Sequence, residues 1–130
     1  MKLLDTDICI HLLNAREPAL LEQFRSHSPL ELALSSVVRA ELLWGARNSQ
    51  RVEENLERVR LFASPLKSLA FDDECAEHYG VIRADLSARG SLIGPNDMLI
   101  AAVALAHQAT LITRNQREFE RVESLQIEVW

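Results

Sequence analysis

A chain of 130 residues, 48% of them hydrophobic, suits one domain with one buried core and argues against disorder. The formal charge of -5 weighs against indiscriminate binding to nucleic acid, although a protein that borrows positive charge from metal ions is not excluded. Of the 14 basic residues all but Lys2 and Lys67 are arginine, the better fork for phosphate.

The chain opens with a short apolar run, Lys2 to Leu4, that predicts a first strand ending at Asp5. Ile8, Ile10, Leu12 and Leu13 predict a buried helix that begins at once. "NAREP" interrupts it, and Pro18 suits the first turn of the next helix, from Ala19 to about His27. A second strand is expected around Glu31 to Leu34. Ser35 or Ser36 is a good N-cap for a third helix, "VVRAELLWGARNS", whose apolar face continues through Leu42, Leu43 and Ala46.

Val52, Leu56, Val59 and Phe62 form one stripe of a fourth helix that Pro65 stops. "LKSLAF" is a third strand. A fifth helix starts at Asp72 or Asp73 and ends at Gly90. A sixth has Pro95 at its start, "TLIT" is a fourth strand, "NQREFERV" a short helical piece and "IEVW" a terminal strand. The longest apolar run, Met98 to Ala106, is too short to span a bilayer. No secretory signal is visible, so the expected compartment is the cytoplasm. Cys9 and Cys75 lie far apart in apolar helical patterns and make no zinc-type spacing with His11, His27, His78 or His107, so both are expected to be buried thiols.

Strands alternate with helices throughout, which predicts an α/β fold: a mainly parallel sheet of about five strands between two helical layers, as one domain over residues 1–130. In such folds sites form at the carboxyl ends of strands. Asp5 ends the first strand and Asn115 follows the fourth. Asp5 has an ordinary role open to it as a helix cap, as do Asp7 and Asp97 in first turns. Glu41 is harder to dismiss. It sits mid-helix beside Val37, Ala40, Leu43 and Trp44, taken here as a buried face, and a carboxylate at such an edge needs a partner. An arginine would serve, and so would a cation shared with other acids. Asp5, Glu41 and Asp97 can converge over the same strand ends, and oxygen-only ligation of that kind suits Mg²⁺ or Mn²⁺.

"LLDTDICIHLL", "SSVVRAELLWGA", "GPNDMLIAAVAL" and "LITRNQREFERV", in that order, resemble a PIN domain, and more narrowly the VapC-type toxins of bacterial toxin–antitoxin pairs. The resemblance covers the whole chain. It implies a three-layer α/β/α fold and a Mg²⁺- or Mn²⁺-dependent ribonuclease with Asp5, Glu41 and Asp97 as core acids. Thr6, Ser36, Asn96 and Thr113 match the supporting polar positions. Asn115 stands where many PIN domains carry aspartate, and Glu118, three residues on, is the candidate for the missing carboxylate. The resemblance further implies a VapB-type antitoxin as partner, a homodimer, larger assemblies with antitoxin, and a specific RNA such as transfer RNA as substrate. Asp7 ranks as outer support at best. Arg39, Arg83, Arg114 and Arg117 are candidates for phosphate contact.

Two rival readings stay open on sequence. Asp5 and Asp7 also match the paired aspartates of haloacid-dehalogenase phosphatases, with Asp5 as nucleophile, but the chain lacks room for a cap domain and Glu41 is left without a role. A PIN-like binding module weakened at Asn115 is the non-enzymatic alternative.

Overall fold

A computed structural model describes residues 1–130. Five strands form one sheet: β1 (Lys2–Leu4), β2 (Leu32–Ser35), β3 (Lys67–Leu69), β4 (Thr110–Ile112) and β5 (Ile127–Glu128). Their spatial order is β3-β2-β1-β4-β5 and every pairing is parallel. Seven helices connect and flank them: α1 (Thr6–Asn14), α2 (Pro18–Arg25), α3 (Ser36–Arg47), α4 (Val52–Ala63), α5 (Asp73–Ala88), α6 (Pro95–Ala106) and α7 (Gln116–Phe119). This is the expected α/β/α arrangement.

Burial explains the sheet. Leu3, Leu4, all of β2, Leu111 and Ile112 are buried, as strands covered by helices on both faces must be. In α6, Met98 and the run Ile100–Ala104 are buried without a break, and the three alanines in that run let the helix pack closely against its neighbours. Cys9 and Cys75 are buried free thiols, as expected. No helix is long and apolar enough to cross a membrane.

Local chemistry sets the helix starts. Ser35, not Ser36, caps α3: its Oγ accepts from Val38 N at 3.1 Å. The second strand begins one residue later than expected, because Pro29–Glu31 forms a 3₁₀ turn capped by Ser28. Asp72 caps α5 through Cys75 N, 3.1 Å away.

The chain runs β1 to β2 to β3 in one direction and then returns to the other side of β1 to lay down β4 and β5. The reversal lies between β1 and β4, where an open parallel sheet leaves a crevice at its carboxyl edge. Leu4 pairs with Ile112 there, and Asp5 N donates to Ile112 O at 2.9 Å. Asp5 and Thr113 are therefore the next residues along, side by side at the crevice.

Candidate active site

Asp5 is the N-cap of α1 and is 4% exposed. One carboxylate oxygen accepts from Thr6 N at 2.8 Å and the other from Thr113 Oγ at 2.7 Å. Asp5 thus caps α1 and at the same time meets Thr113 at the crevice. Burial drives its carboxyl up to about 7, and the charges of Asp7 and Asp97 add to this, against the opposing bonds from Thr113 and Thr6.

Glu41 reaches the same place from α3. Of the two partners open to it on sequence, arginine is absent; Thr6 Oγ donates to Glu41 Oε1 at 2.8 Å. The face on which Glu41 was placed also needs correcting. Val38, Leu42 and Ala46 form the buried face, whereas Ala40 and Trp44 are exposed, Trp44 by 67%. Ala40 and Trp44 open onto a cleft of about 460 Å³ lined also by Ser36, Glu41 and Asn96, whereas Val37 and Leu43 pack partly against the core.

Asp97 lies in the first turn of α6, where the N-terminal dipole favours an acid. Burial first, then the charges of Glu118 and Glu41, push its carboxyl up to about 6. Asp7 adds further negative field. Gly94 makes room for it, since a Cβ there would stand 3.2 Å from an Asp97 oxygen.

Glu118 comes from α7. Asn115 Nδ2 donates to Glu118 Oε2 at 3.0 Å, and Asn115 N donates to Thr113 Oγ at 3.0 Å. Asn115 thus faces the acids through a bond to Glu118, with Glu118 carrying the charge. Of the supporting polar residues, Thr6 and Thr113 touch the acids directly, and Asn96 lines the cleft beside Glu41. Ser36 lines the same cleft, but its Oγ accepts from Phe71 N at 3.1 Å and ties α3 to the segment after β3.

The arginines separate as well. Arg114 bonds Glu17 through both terminal nitrogens and Trp130 O through Nε at 3.0 Å, so its guanidinium is engaged away from the acids. Arg83 bonds Tyr79 Oη at 2.7 Å. Arg39 is half-buried with an unpartnered Nε, and Arg117 is exposed on α7. Two features escaped the sequence reading. Gly94, three residues before Asp97 in "GPND", matters for the space it leaves that side chain, which the sequence does not reveal. The bond from Arg114 N to Asp7 Oδ2, 3.1 Å long, joins residues 107 apart and has no local signature.

The donor set is oxygen-only; burial first, and then the mutual repulsion of the acids, raise the carboxyls of Asp5 and Asp97. That fits a hard divalent cation. No three His, Cys, Asp or Glu side chains form a ready-made ion cage by themselves, and the expected ligation by Asp5, Glu41 and Asp97 leaves the rest of the shell to water. An ion that keeps part of its water shell, as Mg²⁺ does, needs no such cage.

A family model described as PIN domain matches residues 2–125. Ribonuclease VapC2 of Rickettsia felis is 37% identical, over 98% of this chain and 96% of its own length. The tRNA(fMet)-specific endonuclease VapC of Shigella flexneri is 38% identical over the same shares. Among solved structures, DNA-bound VapBC from Salmonella typhimurium superposes with a TM-score of 0.94 at 36% identity, covering 99% of this chain and 97% of the other.

Proposed function

This chain belongs to the PIN-domain family, and from that premise we propose that it is a divalent-metal-dependent endoribonuclease, the toxin of a toxin–antitoxin pair. The observation that carries the proposal is the meeting of Asp5, Glu41, Asp97 and Glu118 at the carboxyl edge between β1 and β4.

Asp5, Glu41 and Asp97 would hold Mg²⁺ or Mn²⁺, and the bound ion would supply Lewis acidity and offset negative charge at a phosphodiester. The chain's residues do the rest. Thr6 bridges α1 to Glu41, and Thr113 fixes the Asp5 carboxylate, so two acids are oriented before substrate arrives. Glu118, held by Asn115, adds its negative charge beside Asp97 and is the carboxylate we assign to relay the proton of the attacking water. The Cys9 thiol, pushed well up by burial, has no part in this chemistry.

The relatives support the finer assignments. The Shigella protein's stated specificity for tRNA(fMet) favours initiator transfer RNA as substrate, and the VapBC assembly favours a VapB-type antitoxin as partner. A homodimer belongs to the same reading; Trp44 and Val81 are exposed apolar side chains that such contacts would cover. The phosphatase reading falls away, because Asp7 spends its oxygens on the backbone amides of Ile8 and Arg114. The binding-module reading finds no support at Asn115, which holds the Glu118 carboxylate.

Incubating the partner-free protein with initiator transfer RNA and with total bacterial RNA, each with Mg²⁺, Mn²⁺ or EDTA, tests this. Discrete fragments in the metal arms alone are the expected result, and intact RNA in every arm would sink it. Gly94→Ala offers a finer check. Its Cβ forces Asp97 to give by a few tenths of an ångström, which is expected to slow cleavage about tenfold with little change in the melting temperature.

A further inference from the structure

We propose that Asp7 is the positioning residue for the turn that delivers Asn115 and Glu118 to the site; the functional part of this rests on the reading above. The turn between β4 and α7 is three residues long, and each residue is held by a different bond. Thr113 donates its hydroxyl to Asp5 Oδ2 at 2.7 Å. Arg114 donates its amide to Asp7 Oδ2 at 3.1 Å. Asn115 donates its amide back to Thr113 Oγ at 3.0 Å. Two acids on one edge of α1 thus grip two consecutive residues of the turn.

The helix beyond the turn cannot orient itself. α7 has four residues, too few for a stable set of internal bonds, and only Phe119 in it is buried. The direction of Glu118 is set by where the turn ends and by its bond from Asn115 Nδ2. Asp7 is suited to the anchoring task because its own position is fixed: Oδ1 accepts from Ile8 N at 2.6 Å, which leaves Oδ2 aimed at Arg114. Two acceptor oxygens are needed, and an asparagine offers one.

The Arg114 side chain completes the anchor on the outside. It leaves the turn toward Glu17, at the start of α2, and toward the Trp130 carbonyl. Arg114 is exposed, so water can satisfy its amide when Asp7 is removed. Losing Asp7 therefore loosens the turn and leaves the core intact.

The test compares Asp7→Ala and Asp7→Asn with the unaltered protein by cleavage kinetics, metal titration and amide hydrogen exchange. For Asp7→Ala, kcat is expected to fall about tenfold with KM changed little. Exchange should quicken at Arg114 and Asn115 and stay unchanged across β1, β2 and β4. Asp7→Asn, with one oxygen left, should recover part of both effects. Unchanged kcat and exchange in Asp7→Ala would overturn the proposal. So would equal losses in both variants with a raised metal half-saturation, which would make Asp7 a source of charge. Faster exchange throughout the sheet would make its role one of general stability. If the unaltered protein cleaves no RNA, the ribonuclease reading fails, and exchange at Arg114 still decides whether Asp7 anchors the turn.

Discussion

Asp5→Asn is expected to lower RNA cleavage on the order of a thousandfold or more and, in metal-free protein near pH 7, to raise the melting temperature. The first effect follows from charge. Removing an ionised ligand forfeits several kcal/mol of the stabilisation a bound cation gives the transition state, and each 1.36 kcal/mol is about tenfold in rate. The second follows from burial, which lifts the Asp5 carboxyl from 3.8 to about 7 in the folded chain. As pH rises from about 4, the unfolded chain releases this proton first, so the folded state binds more protons than the unfolded one. Stability contributed by Asp5 is therefore complete below pH 4 and is lost progressively toward pH 7. Asp97 adds a loss of the same sign that ends nearer 6. Asparagine has no proton to lose, so the variant's melting temperature should vary less over this range. Mg²⁺ or Mn²⁺ should reverse the comparison by binding the folded wild type and raising its melting temperature. Thermal melts from pH 4 to 8, with and without metal, check all of this. A metal-induced rise as large in Asp5→Asn as in wild type would remove Asp5 from the ligand set.

The fold was legible because its signals are local. "KLL", "LALS" and "TLI" are short apolar runs, the first two running directly into helix caps, and alternation with helical stripes leaves a parallel sheet as the simple solution. Positions of individual acids were legible for the same reason, since Asp5 and Asp97 each stand at a helix start. The face of α3 was not. Val37, Ala40, Leu43 and Trp44 form as good an apolar stripe as Val38, Leu42 and Ala46, and only packing against the sheet decides which is buried. The fourth carboxylate was legible as a pair of candidates and no further. Choosing between Asn115 and Glu118 requires knowing that α7 turns Glu118 back toward Asp97, and that turn is held by Asp5 and Asp7 from the far end of the chain. Bonds between residues separated by more than a hundred positions leave no periodicity to read.

That division of labour between Asn115 and Glu118 gives the second large expected effect. Glu118→Gln should reduce cleavage about a hundredfold, the scale of a lost proton-transfer group. Asn115→Ala should reduce it about tenfold, the scale of a lost outer support. The asymmetry follows from what each side chain does. Glu118 is the foremost charge acting on Asp97, whereas Asn115 acts by holding Glu118 through one bond of 3.0 Å. The two changes should also differ in their pH signature. Without the Glu118 charge the Asp97 carboxyl falls back toward its ordinary 3.8. In the metal-free protein, the Asp97 titration followed by NMR should then move to lower pH in Glu118→Gln and hold its place in Asn115→Ala. The double variant should be no worse than Glu118→Gln alone, because a support has nothing left to support once the carboxylate is gone. Cleavage rates of both single variants and the double variant from pH 5 to 8 decide the matter. Additive losses in the double variant would mean that Asn115 reaches the reaction by a route of its own.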